Sequence, residues 1–373
     1  MCSQHAETVL QFGTGRFLRA FADLFVHELG QRGCAVGKIV VLQSTGRDRA
    51  ELLNRQGGRY HVAIRGLLEG RMVDRVVEVH SISRALAAET DWPHVLEAAQ
   101  SAALATVVSN TTEAGYELDP QDSPQASPPG SFPAKLLAVL KARFDSGLPG
   151  LAVLPCELLE HNGERLRRLV LEQAERWGLS GQLREWICGE CRWCDTLVDR
   201  IVSAPRPDDP LAAVDPLSAV AEPFALWLVQ GRACAPGLCE HPAVRAVENL
   251  EPYYLRKVRI LNGAHTALVA KAQPLGLTTV REAALDPVVG PWLRALVFDE
   301  IVPTLAGRTD APDEFARQTL ERFANPFMDH RLADIAIHHE VKLRTRLLPT
   351  YEEYRERFGR SPRLLREVLG SLV

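Results

Sequence analysis

The amino-acid sequence predicts an α/β fold, with a largely parallel sheet in the N-terminal part followed by a mostly α-helical C-terminal domain. β-rich segments alternate with helical ones through the first half of the chain, which is typical of parallel strands covered by helices on both faces. Helical periodicity takes over at about residue 241, starting with residues 243–250, and continues to the end. With 373 residues, 46% of them hydrophobic, the chain is long enough for two domains.

The chain begins with the pattern of a strand, a glycine turn and a helix. Residues 9–12 form the strand and precede GTGRFLRAF, which places Gly13 and Gly15 directly before the helix. In that position the amides of a G-x-G turn and the helix dipole hold the pyrophosphate of a dinucleotide. The alternative is an ordinary strand-to-helix turn, because Leu18 replaces the third glycine of the usual motif. The predicted cofactor contacts of this Rossmann-like domain are Gly13, Gly15, Arg16, Phe17 and Leu18.

The second strand, KIVVLQS, ends where an acidic residue would hold the adenosine ribose of NAD. Gln43 stands at that position, and Arg47 and Arg49 follow it. NAD is compatible with Gln43 and backbone contacts, whereas the two arginines leave room for the 2′-phosphate of NADP. We therefore expect NAD and keep NADP open. Asn110 and Glu113 follow a later strand, so we expect them at the nicotinamide half of the cofactor.

Two proline-rich segments interrupt the alternation. Residues 117–132, ELDPQDSPQASPPGSF, predict a surface loop, which is either a flap over a cleft or a loop without a function. Residues 206–222 predict the connection between domains. The predicted domains are therefore a dinucleotide-binding domain at 1–205 and a mostly helical substrate and catalytic domain at 223–373.

Charge and hydropathy limit the possible partners. The formal net charge of −4 provides no basic field for nucleic acid, so we expect no such partner. The start of the chain lacks the pattern of a signal peptide, and no run reaches the roughly 18 apolar residues of a membrane span. We expect a cytoplasmic protein without membrane contact, which is a monomer or a small homo-oligomer.

The eight cysteines are scattered, which favours reduced thiols. Cys188, Cys191 and Cys194 have the C-x-x-C-x-x-C spacing of a zinc or iron–sulfur site. No histidine or fourth cysteine follows at short range. We therefore expect no metal.

The segment RKVRILNGAH carries three polar residues in apolar surroundings: Lys257, Asn262 and His265. On an α-helix, at about 100° per residue, they occupy one arc of roughly 140°. A lysine whose pKa is lowered by burial can serve as a general acid and base, while asparagine and histidine can donate hydrogen bonds to a reacting oxygen. The alternative is a surface lysine and a histidine that only packs.

The spacing K-x-x-x-x-N-x-x-H resembles the hallmark of the polyol-specific long-chain dehydrogenase/reductase family, also called the mannitol dehydrogenase family. The resemblance implies NAD-linked, zinc-independent oxidation of a secondary alcohol, with Lys257 as the general acid/base and Asn262 and His265 holding the reacting oxygen. Within the family, the chain is most similar to the tagaturonate reductase branch. Motifs of that branch follow one another from Leu10 to Pro349 as LQFGTGRFLRAF, IRGL, VVSNTTEAG, FPAKL, LPCELLEHNG, TLVDRIV, RKVRILNGAHTALV, RFANPF and KLRTRLLP.

The resemblance implies a small-molecule substrate, with reversible reduction of tagaturonate to altronate. Fructuronate, mannitol or another polyol is the alternative substrate, and a non-catalytic nucleotide-binding relative is the alternative of another class. A uronate carboxylate must meet a cation, and Lys342 and Arg346 are the predicted cations. The further predicted substrate contacts are Asn162 and Asp199.

One position departs from the mannitol dehydrogenases. They carry Asp-Asn after the cysteine that is Cys156 here, whereas this chain has Glu157 and Leu158. This chain therefore has no asparagine at that position, and the function of the family's asparagine cannot be assigned to Leu158.

Overall fold

The computed structural model describes residues 6–111, 113–231 and 237–373, and the chain divides into two compact units. The first unit comprises Met1–Ile64 and Arg75–Leu250, and the second comprises Arg65–Asp74 and Glu251–Val373. The division after Leu250 differs from the connection that we expected at 206–222. The predicted fold class is confirmed, because a parallel sheet lies in the first unit and helices dominate the second.

The described residues form thirteen strands in three sheets. The strands are β1 (Glu7–Phe12), β2 (Lys38–Gln43), β3 (Tyr60–Leu68), β4 (Arg71–Val79), β5 (Ile82–Ala87), β6 (Thr106–Ser109), β7 (Ala152–Pro155), β8 (Arg192–Trp193), β9 (Thr196–Asp199), β10 (Val202–Ser203), β11 (Ala219–Ala221), β12 (Leu226–Gln230) and β13 (Val244–Val247). The smaller sheets have the orders β10-β11-β3-β4 and β13-β12-β9.

The largest sheet has the order β5-β2-β1-β6-β7-β8, and all its neighbouring strands are parallel. Counted along the chain within this sheet, the order is 3-2-1-4-5-6, that of doubly wound dinucleotide-binding folds. The order reverses between β1 and β6. Ligands of such sheets bind outside the carboxyl ends of the strands at this reversal.

The described residues also form eighteen α-helices, four short 3₁₀ segments and three π-helical segments. The α-helices are α1 (Arg16–Arg19), α2 (Ala22–Gln31), α3 (Asp48–Arg55), α4 (Ala88–Ala99), α5 (Phe132–Asp145), α6 (Asn162–Arg176), α7 (Gly181–Gly189), α8 (Pro210–Val214), α9 (Glu251–Arg256), α10 (Gly263–Ala272), α11 (Val280–Leu285), α12 (Val289–Ala295), α13 (Val302–Leu305), α14 (Pro312–Phe323), α15 (Leu332–Ala336), α16 (His339–Lys342), α17 (Leu348–Phe358) and α18 (Arg363–Leu369). The 3₁₀ segments are Glu113–Gly115, Leu238–Glu240, Gln273–Leu275 and Gly370–Leu372, and the π-helical segments are Lys257–Asn262, Leu296–Ile301 and Leu343–Leu347. No helix of these described ranges is long and apolar enough to cross a membrane.

Each unit has its own apolar core. In the first, the central strands are buried along almost their whole length, and one face of the sheet packs against α4, α5 and α6. In the second, the core is built around α10, whose Leu268 is fully buried among residues of the surrounding helices. Burial on both faces explains why the central strands read as continuous apolar runs.

Two local predictions are wrong. Residues 243–250, expected as a helix, contain β13, whose Val244 and Val247 pair in parallel with β12. Four residues with two β-branched side chains suit such a short strand. Cys239 is disulfide-bonded, against the expectation of reduced thiols throughout, whereas Cys34, Cys156, Cys188, Cys191 and Cys194 are not in disulfides.

The proline-rich loop, residues 117–132, is attached to the first unit by hydrogen bonds. The Asp122 carboxylate accepts from the Ser131 amide at 3.1 Å, and the Trp177 indole donates to the Asp122 carbonyl at 3.2 Å. Ser131 in turn caps α5. The loop therefore fixes the start of a core helix.

Candidate active site

The glycine turn lies at the reversal of the large sheet. Gly13 follows β1 with a φ of 122°, and a Cβ there would stand 3.0 Å from the Asn110 carbonyl oxygen at the end of β6. Only glycine fits both restrictions. Gly15 precedes α1 and has no atom within 4 Å of a Cβ position, so open space lies in front of the helix. A dinucleotide pyrophosphate needs this combination of tight turn and open space.

Buried donors hold the carbonyl groups of this turn. The Gln11 amide donates to the Gly13 carbonyl at 3.1 Å, and the Arg19 guanidinium donates to the Thr14 carbonyl at 2.5 Å. Arg19 is itself buried, and its Nε donates to the Leu217 carbonyl at 3.0 Å. These hydrogen bonds fix the orientation of the Gly13 and Thr14 carbonyl groups.

The three residues after Gly15 occupy different environments. Arg16 is exposed, and its pKa is lowered by partial burial and by the charge of Arg49. Phe17 is half-buried and stacks on Phe21 with ring centroids 4.8 Å apart. Leu18 is fully buried, with a side-chain methyl group 3.4 Å from the Cβ position of Gly13. The Leu18 side chain therefore packs against the turn and fills space that a third glycine would have left empty.

Gln43 is engaged in its own loop. Its amide donates to the Thr45 carbonyl and to Asp48, both at 2.9 Å, and its side-chain oxygen accepts from the Ala50 amide at 2.8 Å. Both amide protons are used, so the side chain shapes the β2–α3 loop. Arg47 forms an exposed ion pair with Glu51 at 3.3 Å.

Glu157 organises the loop after β6. This buried carboxyl accepts from Ser109 at 3.1 Å, the Thr111 amide at 2.9 Å and Tyr116 at 3.2 Å. Burial raises its pKa, and the hydrogen bonds oppose the rise. Asn110 donates to the Cys156 carbonyl at 2.8 Å, so the loop predicted to meet the nicotinamide is tied to the end of β7. The side chain of Glu113, predicted for the same role, lies outside the described structure.

Asn162, a predicted substrate contact, makes hydrogen bonds within the first unit. It is fully buried, and its amide donates to the carbonyls of Pro155, Glu157 and Thr196 at 3.1–3.2 Å. Its side-chain oxygen accepts from the Thr196 and Gly163 amides. No hydrogen-bonding capacity remains for a substrate. Asp199 lies buried at the carboxyl end of β9.

The helix that carries Lys257, Asn262 and His265 is not α-helical throughout. Lys257–Asn262 is a π-helical segment between α9 and α10. A π-helix pairs residue i with residue i+5, so Lys257 and Asn262 lie on the same face, closer than the α-helical geometry predicted. Such insertions occur frequently at functional sites. Arg259 holds the segment through hydrogen bonds to Thr350 at 2.8 Å and Glu353 at 3.0 Å.

His265 is 7% exposed on α10 and lies in a positively charged environment. Burial lowers its pKa well below the usual range, and His330, Arg322 and Arg346 lower it further. A hydrogen bond to the Leu261 carbonyl opposes these effects. Its Nε2 is buried and has no hydrogen-bond partner within residues 6–111, 113–231 and 237–373. His265 is therefore a neutral imidazole with one ring nitrogen available.

Close helix packing brings Arg346 beside this site. The Arg346 guanidinium donates to Thr266 at 3.3 Å, one residue after His265. Gly263 allows this approach, because a Cβ there would stand 3.2 Å from a Leu347 methyl group. Lys342 donates to the Ile335 carbonyl at 2.8 Å, and its pKa is lowered by partial burial and by Arg346.

The sequence did not predict three neighbours of His265. Phe323 and His330 contact its ring, with centroid distances of 4.2 and 4.8 Å, and Arg322 is buried beside it. The His330 Nδ1 is also buried, and no described residue forms a hydrogen bond with it. The backbone of His330 is fixed, since its carbonyl accepts from the Val280 amide at 2.9 Å. No spacing in the sequence connects these residues to His265, because they lie on other elements.

Of the three cysteines with metal-site spacing, Cys188 is exposed, whereas Cys191 and Cys194 are buried. Within the described ranges, the arrangement that could hold an ion is His161, Glu164 and Asp195, whose ligand atoms lie within 4.8 Å of one another. Two of these three residues are exposed, and the His161 ring lies 3.5 Å from the Asp195 carboxylate.

Comparison with known proteins gives one consistent result. Residues 7–239 match the family model of the mannitol dehydrogenase Rossmann domain, and residues 249–372 match that of the mannitol dehydrogenase C-terminal domain. The altronate oxidoreductase of Bacillus subtilis (strain 168) is 37% identical over 97% of this chain and 78% of its own length. That of Pectobacterium carotovorum subsp. carotovorum (strain PC1) is 38% identical over 99% of this chain and 79% of its own length.

Solved structures with the same fold include a D-sorbitol dehydrogenase in substrate-free form, with a TM-score of 0.82 and 24% identity over 95% of this chain and 77% of that one. A Pseudomonas fluorescens mannitol 2-dehydrogenase in ternary complex with NAD and D-mannitol has a TM-score of 0.79 and 23% identity, over 98% of this chain and 78% of that one. These likenesses confirm the fold.

Proposed function

This chain belongs to the mannitol dehydrogenase family, and we propose that it interconverts tagaturonate and altronate with NAD as the hydride carrier. The observation that carries the proposal is the face of the π-helical segment and α10, where Lys257, Asn262 and His265 lie with Arg346 beside them. The relatives named altronate oxidoreductase support the choice of substrate.

The first unit fits the cofactor. The glycine turn offers open space at Gly15, with its carbonyls held inward by Gln11 and Arg19. The bound nicotinamide supplies the hydride for the keto carbon, or accepts it in the reverse direction.

Lys257 gives a proton to the reacting oxygen during reduction and takes it back during oxidation. Asn262, one π-turn further on, donates a hydrogen bond to the same oxygen. His265 donates one ring proton to the Leu261 carbonyl, so its Nε2 accepts a hydrogen bond from the alcohol hydroxyl. Because the imidazole is neutral, it orients the hydroxyl without adding charge.

Arg346 and Lys342 face the charge of the substrate. A planar guanidinium binds a carboxylate through two parallel hydrogen bonds, and the nearby ammonium adds attraction. A sugar acid therefore fits this environment better than a neutral polyol. His330 extends the same surface with a second unpartnered imidazole nitrogen.

The test is oxidation of NADH with tagaturonate by the parent, by Lys257→Ala and by Lys271→Ala. Lys271 is a matched control on α10, where it pairs with Glu367 at 2.5 Å. Loss of the general acid should lower kcat about 10²–10⁴-fold in Lys257→Ala only. An inactive parent, or near-parent turnover in Lys257→Ala, would refute the mechanism. Preference for mannitol over tagaturonate and fructuronate would instead refute the substrate.

A further inference from the structure

A polar cleft lies in the first unit, at the amino ends of the strands of the large sheet, whereas the glycine turn follows a carboxyl end. It has a volume of about 270 Å³, and His27, Gly37, Lys38, His80 and Ser81 are among the residues that line it. Lys38 begins β2, and Ser81 precedes β5. These are the amino ends of two parallel neighbours, whereas Gly13 and Asn110 follow carboxyl ends. We call this cleft the amino-edge pocket.

The hydrogen bonds of His27 define which ring nitrogen carries its proton. His27 Nδ1 accepts from the His80 amide at 3.2 Å, so this nitrogen is unprotonated. Burial lowers the pKa of the ring, with His80 and Lys38 as further causes, which keeps it neutral. The single proton is therefore on Nε2. That N–H is buried, and none of the described residues accepts a hydrogen bond from it.

Two more donors line the same pocket. Ser81 is 2% exposed, and its hydroxyl has no hydrogen-bond partner in the described part of the chain. The Lys38 ammonium donates to the His80 carbonyl at 2.5 Å and has two further protons. The pocket thus combines an imidazole N–H, a hydroxyl and an ammonium. Buried donors without acceptors cost free energy, so natural proteins rarely keep them without a reason.

The nearby carboxylates and the carbonyls at the end of α2 already have hydrogen-bond partners. Glu78 binds His80 Nε2 at 3.0 Å, and Glu28 binds His241 at 2.8 Å. The carbonyls of Glu28, Leu29 and Gly30 in the last turn of α2 accept from the amides of residues 32–34. Among the described residues, none accepts from the His27 Nε2–H, so a bound anion or solvent has to supply the acceptor.

We propose that the amino-edge pocket binds a small oxyanion, the phosphate or carboxylate group of a metabolite. The ammonium supplies the charge, and His27 and Ser81 donate hydrogen bonds to its oxygens. A volume of about 270 Å³ suits a ligand smaller than a dinucleotide. The site is separate from the proposed cofactor turn, so both can be filled together.

The experiment titrates inorganic phosphate and, separately, acetate into the NADH-saturated protein by calorimetry at constant ionic strength. Saturating NADH prevents phosphate from binding at the glycine turn. The parent should bind at least one of the two anions. Binding of phosphate only assigns a phosphate ligand, and binding of acetate only assigns a carboxylate. If neither binds, the proposal is wrong.

Lys38→Met and Ser81→Ala should each weaken binding at least tenfold. Lys141→Met removes the same charge from an exposed lysine of α5, paired with Asp145 at 2.5 Å, and should leave binding unchanged. Equal affinity of the parent and Lys38→Met would overturn the proposal. If Lys38→Met does not fold, ¹⁵N spectra of the parent decide, because the anion must shift the His27 Nε2 resonance. An unmoved resonance would refute the site.

Discussion

Asp23, in α2, is a carboxyl group with no exposure to water. Tyr60 donates to its Oδ2 at 3.1 Å. Burial raises its pKa from 3.8 to about 7, while Tyr60, Arg19 and Gln11 oppose the rise. The folded state thus prefers the protonated acid. Its contribution to stability is complete below about pH 4 and is lost as the pH rises through about 7.

Asp23→Asn should remove this dependence. We expect the free energy of unfolding of the parent to fall by up to roughly 4 kcal/mol between pH 4 and pH 8 from this group. The amide variant keeps the shape without the charge, so its melting temperature should change less over the same range. Glu97→Gln, at an exposed position, serves as the control. Identical pH profiles for the parent and Asp23→Asn would contradict the argument.

At single residues, the sequence predicted positions better than contacts. The strand before Gly13 and the turn itself follow from local patterns that need no tertiary information. Gln43 and Asn162 were expected to bind ligands, yet both have their amide protons bound within the first unit. Hydrogen-bond partners depend on the packing of distant segments, which periodicity does not encode. His330 was missed for the same reason.

The type of helix that carries a motif decides which of its residues lie on the same face. Local sequence predicts helix over residues 253–272, but i→i+5 pairing depends on how neighbouring helices pack. Two π-helical segments, Lys257–Asn262 and Leu343–Leu347, carry predicted site residues of the second unit. Gly263 is the first residue of α10. A Cβ at this position would lie close to the Leu347 side chain and the Arg346 carbonyl, which belong to the second of these segments. A lysine and an asparagine five residues apart lie on the same face in this π-helical geometry.

Gly263→Ala should therefore impair activity more than stability. The added methyl group at 3.2 Å from Leu347 must push this side chain, and with it Arg346, by a few tenths of an ångström. We expect kcat/KM to fall about tenfold, because such misplacements near reacting groups are costly. NADH affinity should stay constant. Gly181→Ala, at an unobstructed helical position of α7, should leave kcat/KM unchanged. Equal activity of the two variants would refute the role of close packing.

At the scale of the whole molecule, one short segment interrupts the first unit. Residues 65–74, the tip of the β3–β4 hairpin, belong to the second unit. Glu69 and Gly70 turn the hairpin with φ of 53° and 73°, a two-residue turn that suits the twist of the strands. Asn325 donates to the Arg65 carbonyl at 3.0 Å. The sequence does not reveal this assignment, since it depends on contacts about 250 residues apart.

Glu321 of α14 is the main anchor of the hairpin tip. Its carboxylate accepts from the Gly70 amide at 2.5 Å and the Glu69 amide at 3.2 Å. Hydrogen bonds to a charged group contribute about 1.5–3 kcal/mol. Glu321→Ala should therefore speed hydrogen exchange of these two amides roughly 10- to 100-fold. Exchange in the large sheet should not change.

Glu314→Ala is the matched control on the same helix, because Glu314 contacts only Arg317 and Gln318 among the hydrogen bonds described for it. This variant should leave the exchange of Glu69 and Gly70 at the parent rate. If both variants accelerate exchange equally, the effect comes from general destabilisation of α14. If neither does, the turn is held by its own backbone geometry, and the hairpin tip belongs to the second unit by proximity alone.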